Sequence, residues 1–191
     1  PFFERYKLYL SKDGFAQKAI ENIETTCEEI LAHCANPKTP CALDKKRGLV
    51  VGDVQSGKTA NMIGLATMAA HYDWNFIIIL SGTIDNLRKQ TRDRFRDDLI
   101  ASGGAFWHIL DKTGNPDYMK DIESEDTYMT DGLTLNMYQE GMPSSGWMHR
   151  YITVCLKNST RLRNLIKWLH SNPARAARLR VLVIDDEADQ A

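Results

Sequence analysis

The sequence predicts an α/β protein, a parallel β-sheet with helices on both faces, preceded by a helical N-terminal segment. Three observations carry that expectation. Short apolar runs at 49–51, 76–80, 151–156 and 181–184 alternate with longer stretches of helical periodicity. The run Phe76 to Leu80 is apolar throughout, as in a strand covered on both faces. A glycine-bounded segment, 52–57, separates the first run from a stretch rich in Ala and Met, which is the strand, loop, helix order of a crossover unit.

From the N-terminus, residues 1–46 form the helical segment. Its main helix is predicted over Phe15 to Ala35, where Ile20, Ile23, Cys27, Ile30, Leu31 and Cys34 recur at helical spacing, and Asn36 and Pro37 end it. Residues 47–191 form the sheet-containing lobe. Leu49 to Val51 is its first strand, Thr59 to His71 a helix, Phe76 to Leu80 the second strand, and Asn86 to Ile100 a charged helix. Tyr151 to Leu156 is the third strand. A helix from Ser159 to His170 follows, with Leu162, Leu165, Ile166 and Leu169 expected on one buried face, and Val181 to Ile184 is the fourth strand. Between the second and third units, residues 111–146 hold eight acidic and two basic residues, together with Gly114, Asn115 and Pro116. That composition reads as a solvated insertion in the lobe.

The chain has 191 residues and a formal charge of −1, enough to bury a core and too balanced to be drawn as a whole to nucleic acid or an anionic membrane. No apolar run approaches the roughly 20 residues of a membrane helix. No basic stretch leads into an apolar one at the start, so a cytoplasmic protein is expected. Pro1 in place of Met, and an end directly after a charged cluster, predict a chain trimmed from a longer one. Cys27, Cys34 and Cys41 are evenly spaced. On one helix the first two would lie about 10 Å apart, beyond disulfide reach, so reduced thiols are expected.

The chemistry concentrates at two places. Gly52-Asp53-Val54-Gln55-Ser56-Gly57-Lys58-Thr59 matches the phosphate-loop pattern G-x-x-x-x-G-K-[ST] completely. Successive N–H groups and the start of the following helix, from Ala60 on, converge there on an anion-sized space. Lys58 is the expected partner of the β- and γ-phosphates of ATP, and the Thr59 hydroxyl a ligand of Mg²⁺. The second place is the strand end Val181 to Ile184, followed by Asp185, Asp186, Glu187 and Asp189. Parallel strands carry functional groups at their C-terminal ends. Asp186 is assigned to the metal, Asp185 is the alternative metal-side carboxylate, and Glu187 orients the attacking water. The absence of N-K-x-D argues against a GTPase. A nuclease reading finds neither a D/E-x-K strand after Pro116-Asp117 nor a His/Cys array.

Asp186-Glu187-Ala188-Asp189 spells the DEAD box, so the two motifs resemble the first RecA-like lobe of a superfamily 2 helicase-type ATPase. More closely, residues 48–59, Leu80-Ser81-Gly82-Thr83 with 86–91, and residues 183–190 resemble the Z-one domain family over about 47–191. That family is helicase-like, occurs chiefly in bacterial and phage-related proteins, and is sometimes described as an endonuclease. The resemblance implies a P-loop NTPase lobe using ATP and Mg²⁺, serving DNA processing or defence. It also implies a second lobe carrying an arginine finger, which this chain lacks, and so slow hydrolysis by this chain alone. From the resemblance, Ser81, Gly82 and Thr83 are expected against a nucleic-acid backbone.

The residues themselves add Arg88 and its basic neighbours Lys89, Arg92, Arg94 and Arg96, diluted by Asp85, Asp93, Asp97 and Asp98. The stretch Lys157 to Arg180 is cleaner, with seven basic residues and no acid, and offers Lys157, Arg161 and Arg163 as phosphate contacts. Trp107 and Trp147 are candidates for stacking on bases. Nucleic acid, with DNA the expected polymer, is therefore the anticipated partner. Two function classes stand: a DNA-linked ATPase lobe, and a nucleotide-dependent binding module without significant turnover of its own. DNA-stimulated turnover would separate them.

Overall fold

The computed structural model describes residues 2–39, 46–50, 57–103, 107–109, 150–170, 173 and 179–186. Its elements, in chain order, are α1 (Phe2–Lys12), α2 (Gln17–Ala32), α3 (Lys58–His71), β1 (Phe76–Ser81), α4 (Asp85–Gly103), β2 (Trp107–Ile109), β3 (Arg150–Leu156), α5 (Ser159–His170) and β4 (Val181–Asp185). The acidic stretch expected as an insertion lies outside the described residues. No helix among the described residues is long and apolar enough to cross a membrane.

The chain divides into two compact units, one comprising 1–74 with 93–105, the other 75–92 with 106–191. In the first, Phe2, Phe3, Tyr6 and Leu10 recur at helical spacing and are buried along α1. The helix expected over Phe15 to Ala35 is α2, and α1 is a further helix before it. Between them Gly14 sits at φ 88°, a left-handed conformation that glycine adopts without a steric cost. Helix α2 buries Ile20, Ile23 and Cys27, and both helices pack on α3.

Helix α3 is apolar nearly all round, and Ile63 to Ala70 are buried without exception. Small side chains let its neighbours come close. A Cβ at Gly64 would lie 2.7 Å from Ile23 Cγ2, 3.4 Å from Cys27 Sγ and 3.7 Å from Phe3 Cε2. Gly64 is thus the point at which α1 and α2 both meet α3.

The second unit is organised on a four-stranded sheet in the order β2-β3-β1-β4, in which every pairing is parallel. An α/β fold with a parallel sheet is what alternating strands and helices require. In register, Phe76 lies opposite Tyr151 and Val181, and Leu80 opposite Cys155 and Asp185. Phe76, Ile78, Tyr151 and Cys155 form one apolar face with Leu165, extended by Leu162, Leu169, Leu179 and Val181. Residues of the opposite face, Ile77, Ile79, Ile152 and Val154, are buried as well. Asn75 locks one corner: its side chain accepts from the Arg180 N–H at 2.7 Å while its own N–H donates back to Arg180 O at 3.1 Å.

Two expectations are corrected. Leu49 and Val50 form no strand and are 77% and 61% exposed; Val51 lies outside the described residues. So short an apolar run makes too few ladder bonds to hold itself extended without a paired neighbour. Ile166 is exposed although it shares helical spacing with the buried leucines. At about 100° per residue, Leu162, Leu165 and Leu169 fall within a strip roughly 60° wide, and Ile166 lies about 40° outside it.

Candidate functional site

Of the phosphate loop, Gly52, Asp53, Val54, Gln55 and Ser56 lie outside the described residues, whereas Gly57, Lys58, Thr59 and Ala60 are described. Gly57 sits at φ 71°, ψ 34°, the left-handed region that a Cβ disfavours, and α3 starts at the next residue. The glycine turn therefore delivers Lys58 and Thr59 to the first helical turn. Lys58 is exposed, Thr59 half-buried and Ala60 buried. Gly57, at the N-cap position of α3, has no side chain with which to cap the first N–H groups. Together with the partial positive charge of a helix start, this is the polarity an anion requires.

The same turn is held from behind. The Tyr6 hydroxyl donates to Ala60 O at 3.2 Å, and the Cys27 thiol to Asn61 O at 3.7 Å. Burial, with Asp98 adding to it, raises the Tyr6 phenol well above its ordinary range, and burial followed by Glu28 pushes Cys27 up to about 12. Both groups therefore stay protonated and serve as donors.

The acidic strand end belongs to the second unit. Strand β4 closes with Asp185, and the Asp186 N–H donates to Leu80 O at 2.8 Å, continuing the ladder beyond the strand. Asp186 is half-buried. Glu187 and Asp189 lie outside the described residues. Asp185 is engaged: Lys157 Nζ is 3.0 Å from its Oδ1. The Lys157 N–H donates to Ser81 O at 3.1 Å and Gly82 O at 3.3 Å. Asn158 then caps α5, its Oδ1 accepting from the N–H groups of Thr160 and Arg161 at 2.9 and 3.4 Å.

Among the described residues, no three His, Cys, Asp or Glu side chains gather as a metal cage. Magnesium makes a different demand: it keeps several waters and takes one or two protein oxygens beside phosphate oxygens. Each unit carries a hard oxygen donor of that kind, the Thr59 hydroxyl in the first and the Asp186 carboxylate in the second.

The expected nucleic-acid residues part company. Ser81 is buried and its hydroxyl donates to Cys155 O at 3.4 Å, Gly82 is buried, and only Thr83 of the three is exposed. Arg88 is 1% exposed and bonded to Asp85 at 2.8 Å, so it is no surface cation. Asp85 also takes Lys89 at 3.1 Å, and Arg96 pairs with Asp93 and Asp97, which spends much of the charge on α4 internally. Trp107 is buried, so its ring is not offered to bases. Arg161 is half-buried and Arg163 exposed on α5, while Leu162, Leu165 and Leu169 turn to the core. The contacts that sequence reasoning missed are Tyr6 to Ala60 and Lys157 to Asp185. Neither has a local signal, since each joins residues brought together only by the packing of distant elements. Comparisons with protein-family models, curated proteins and solved structures return no match.

Proposed function

We propose that this chain is a RecA-like P-loop lobe of the helicase type, which binds Mg²⁺–ATP through residues 52–60 and hydrolyses it in service of nucleic acid, DNA first. The observation that carries this reading is the left-handed Gly57 directly before Lys58 and Thr59 at the uncapped start of a buried helix. A bare turn requires no Lys and Thr there; a polyphosphate does. In this reading Lys58 neutralises the β- and γ-phosphates, and Thr59 and Asp186 hold magnesium, with Asp185 the alternative carboxylate. Magnesium, when bound, screens charge on the phosphates. Glu187 holds the attacking water and accepts its proton. The resemblance of residues 183–190 to the Z-one pattern supports the pairing of these motifs.

The experiment is titration calorimetry with Mg²⁺–ATP on the wild-type chain and Lys58→Ala. Loss of the ammonium should weaken binding about a hundredfold or more, since a charge-assisted contact to each of two phosphates disappears. Undiminished binding would remove the phosphate-loop reading. Glu187→Gln should retain ATP and lose turnover; loss of binding instead would make Glu187 structural.

The nucleic-acid part of the proposal rests on α5, which turns leucines inward and carries Arg161 and Arg163 in a stretch without acids. Reversing both to Glu should weaken DNA binding regardless of sequence and flatten its salt dependence. An unchanged salt slope would return α5 to an ordinary solvated helix.

A further inference from the structure

The end of the sheet holds a cation that neither motif calls for. Lys157 follows β3 and Asp185 ends β4, and these strands flank β1 on opposite sides. With strands about 4.8 Å apart, the two chains run roughly 10 Å from one another, a gap that only a long side chain closes. Lys157 closes it, with its Nζ 3.0 Å from Asp185 Oδ1. The lysine is 10% exposed while the carboxylate it meets is 37% exposed, so the ammonium is the more withdrawn partner. Its backbone is fixed on both sides, by the bonds to Ser81 O and Gly82 O before it and by the capped start of α5 after it.

Register separates the two aspartates. Asp185 lies in the row of Leu80 and Cys155, the face covered by α5. Asp186 is the next residue, in the turn that follows β4, with its N–H still on the ladder through Leu80 O. One carboxylate is thus met by an ammonium, and its neighbour stands one residue further along the chain.

We infer that Lys157 is a positioning residue of the strand end: its ammonium neutralises Asp185 and withholds that carboxylate from the divalent cation, leaving Asp186 as the cation-side ligand. This rests on the reading of the strand end as a magnesium site. It also takes Lys157 out of the surface that meets nucleic acid. The choice between two adjacent aspartates is made by a residue that follows a different strand, before any nucleotide is present.

Mn²⁺, titrated into the full chain and followed by electron paramagnetic resonance, tests the inference without turnover. Lys157→Met frees the Asp185 carboxylate and should tighten Mn²⁺ about tenfold, because affinity in oxygen sites rises with ligand charge. The double variant Lys157→Met/Asp185→Asn should return to the wild-type value. Lys157→Arg and Asp185→Asn alone should stay within about twofold of it. A merely structural lysine would give no gain that Asp185→Asn cancels. If Asp185→Asn alone weakens Mn²⁺ severalfold, Asp185 is itself a ligand and the inference is overturned; an unchanged or weakened Lys157→Met that keeps its circular dichroism overturns it too. Should Lys157→Met not fold, Asp185→Asn and Lys157→Arg still decide between the two assignments. A wild-type chain that takes up no Mn²⁺ also sinks it. The calorimetric comparison of wild type with Lys58→Ala reports on the phosphate loop separately, so either reading can fail while the other stands.

Discussion

The surroundings of α3 and the end of the sheet hold their reactive groups by different means. Around α3 the constraint is volume: Gly64 leaves no room for a methyl group, and two neighbouring helices donate to the carbonyls of the first turn. At the end of β4 the constraint is a network, made of the Asp186 to Leu80 bond, the Lys157 ion pair and the Asn158 cap. Packing fixes a turn against all displacement at once, whereas a network fixes particular atoms and leaves others adjustable. The first arrangement would suit the anion cradle proposed above, and the second the proposed cation site.

The sharpest way to break this contrast is Gly64→Val, which forces two methyl groups into occupied space beside Ile23. It should cost about 2–3 kcal/mol and lower the melting temperature by several degrees, as overpacked cores do. Urea unfolding that matches wild type would show the contact to be yielding. Gly57→Ala comes next. Its left-handed backbone should cost about 1–2 kcal/mol, and Mg²⁺–ATP affinity should fall with it, as read by calorimetry. Asn158→Ala removes the cap of α5 for about 1 kcal/mol, seen as a lower urea midpoint, and leaves ATP affinity unchanged; a fall in ATP affinity would mean that the strand-end network reaches the phosphates.

The smallest effect concerns Asp98, whose Oδ1 accepts from the Tyr9 hydroxyl at 3.0 Å. Burial raises its carboxyl above the ordinary range, although the Tyr9 bond and Arg94 oppose the rise. A raised value in the fold means that its contribution to stability is full below about pH 4, the ordinary range, and is lost as pH climbs through the raised value. Asp98→Asn should flatten the stability profile in that window while keeping the Tyr9 bond. An unchanged profile from urea titrations would place the pH dependence elsewhere.

Most of the architecture was legible because it is written locally. The helix expected from Ser159 to His170 is α5 to the residue, and the run at 76–80 is β1 extended by Ser81. What was not legible depends on who sits beside whom. Leu49 and Val50 carry the composition of a strand, but pairing is settled by a neighbour. Strand β2 has only Trp107 to Ile109 and reveals itself by pairing with Arg150 to Ile152. Arg88 and Ser81 read as surface groups by type, and tertiary packing buries both. The phosphate-loop pattern was visible in full, yet the Lys157 to Asp185 ion pair required the strand order, which no spacing in the sequence states.

The central place of β1 bears on how the protein is made. Phe76 pairs with Tyr151 on one side and Val181 on the other, so both neighbours leave the ribosome long after it. At roughly 5–20 residues per second, a strand apolar in all but its last residue waits several seconds for its first partner and longer for its second. During that interval the nascent chain exposes the kind of segment that chaperones bind and that self-associates in their absence. Synthesis rate and chaperone supply, rather than final stability, would then govern the yield of soluble protein.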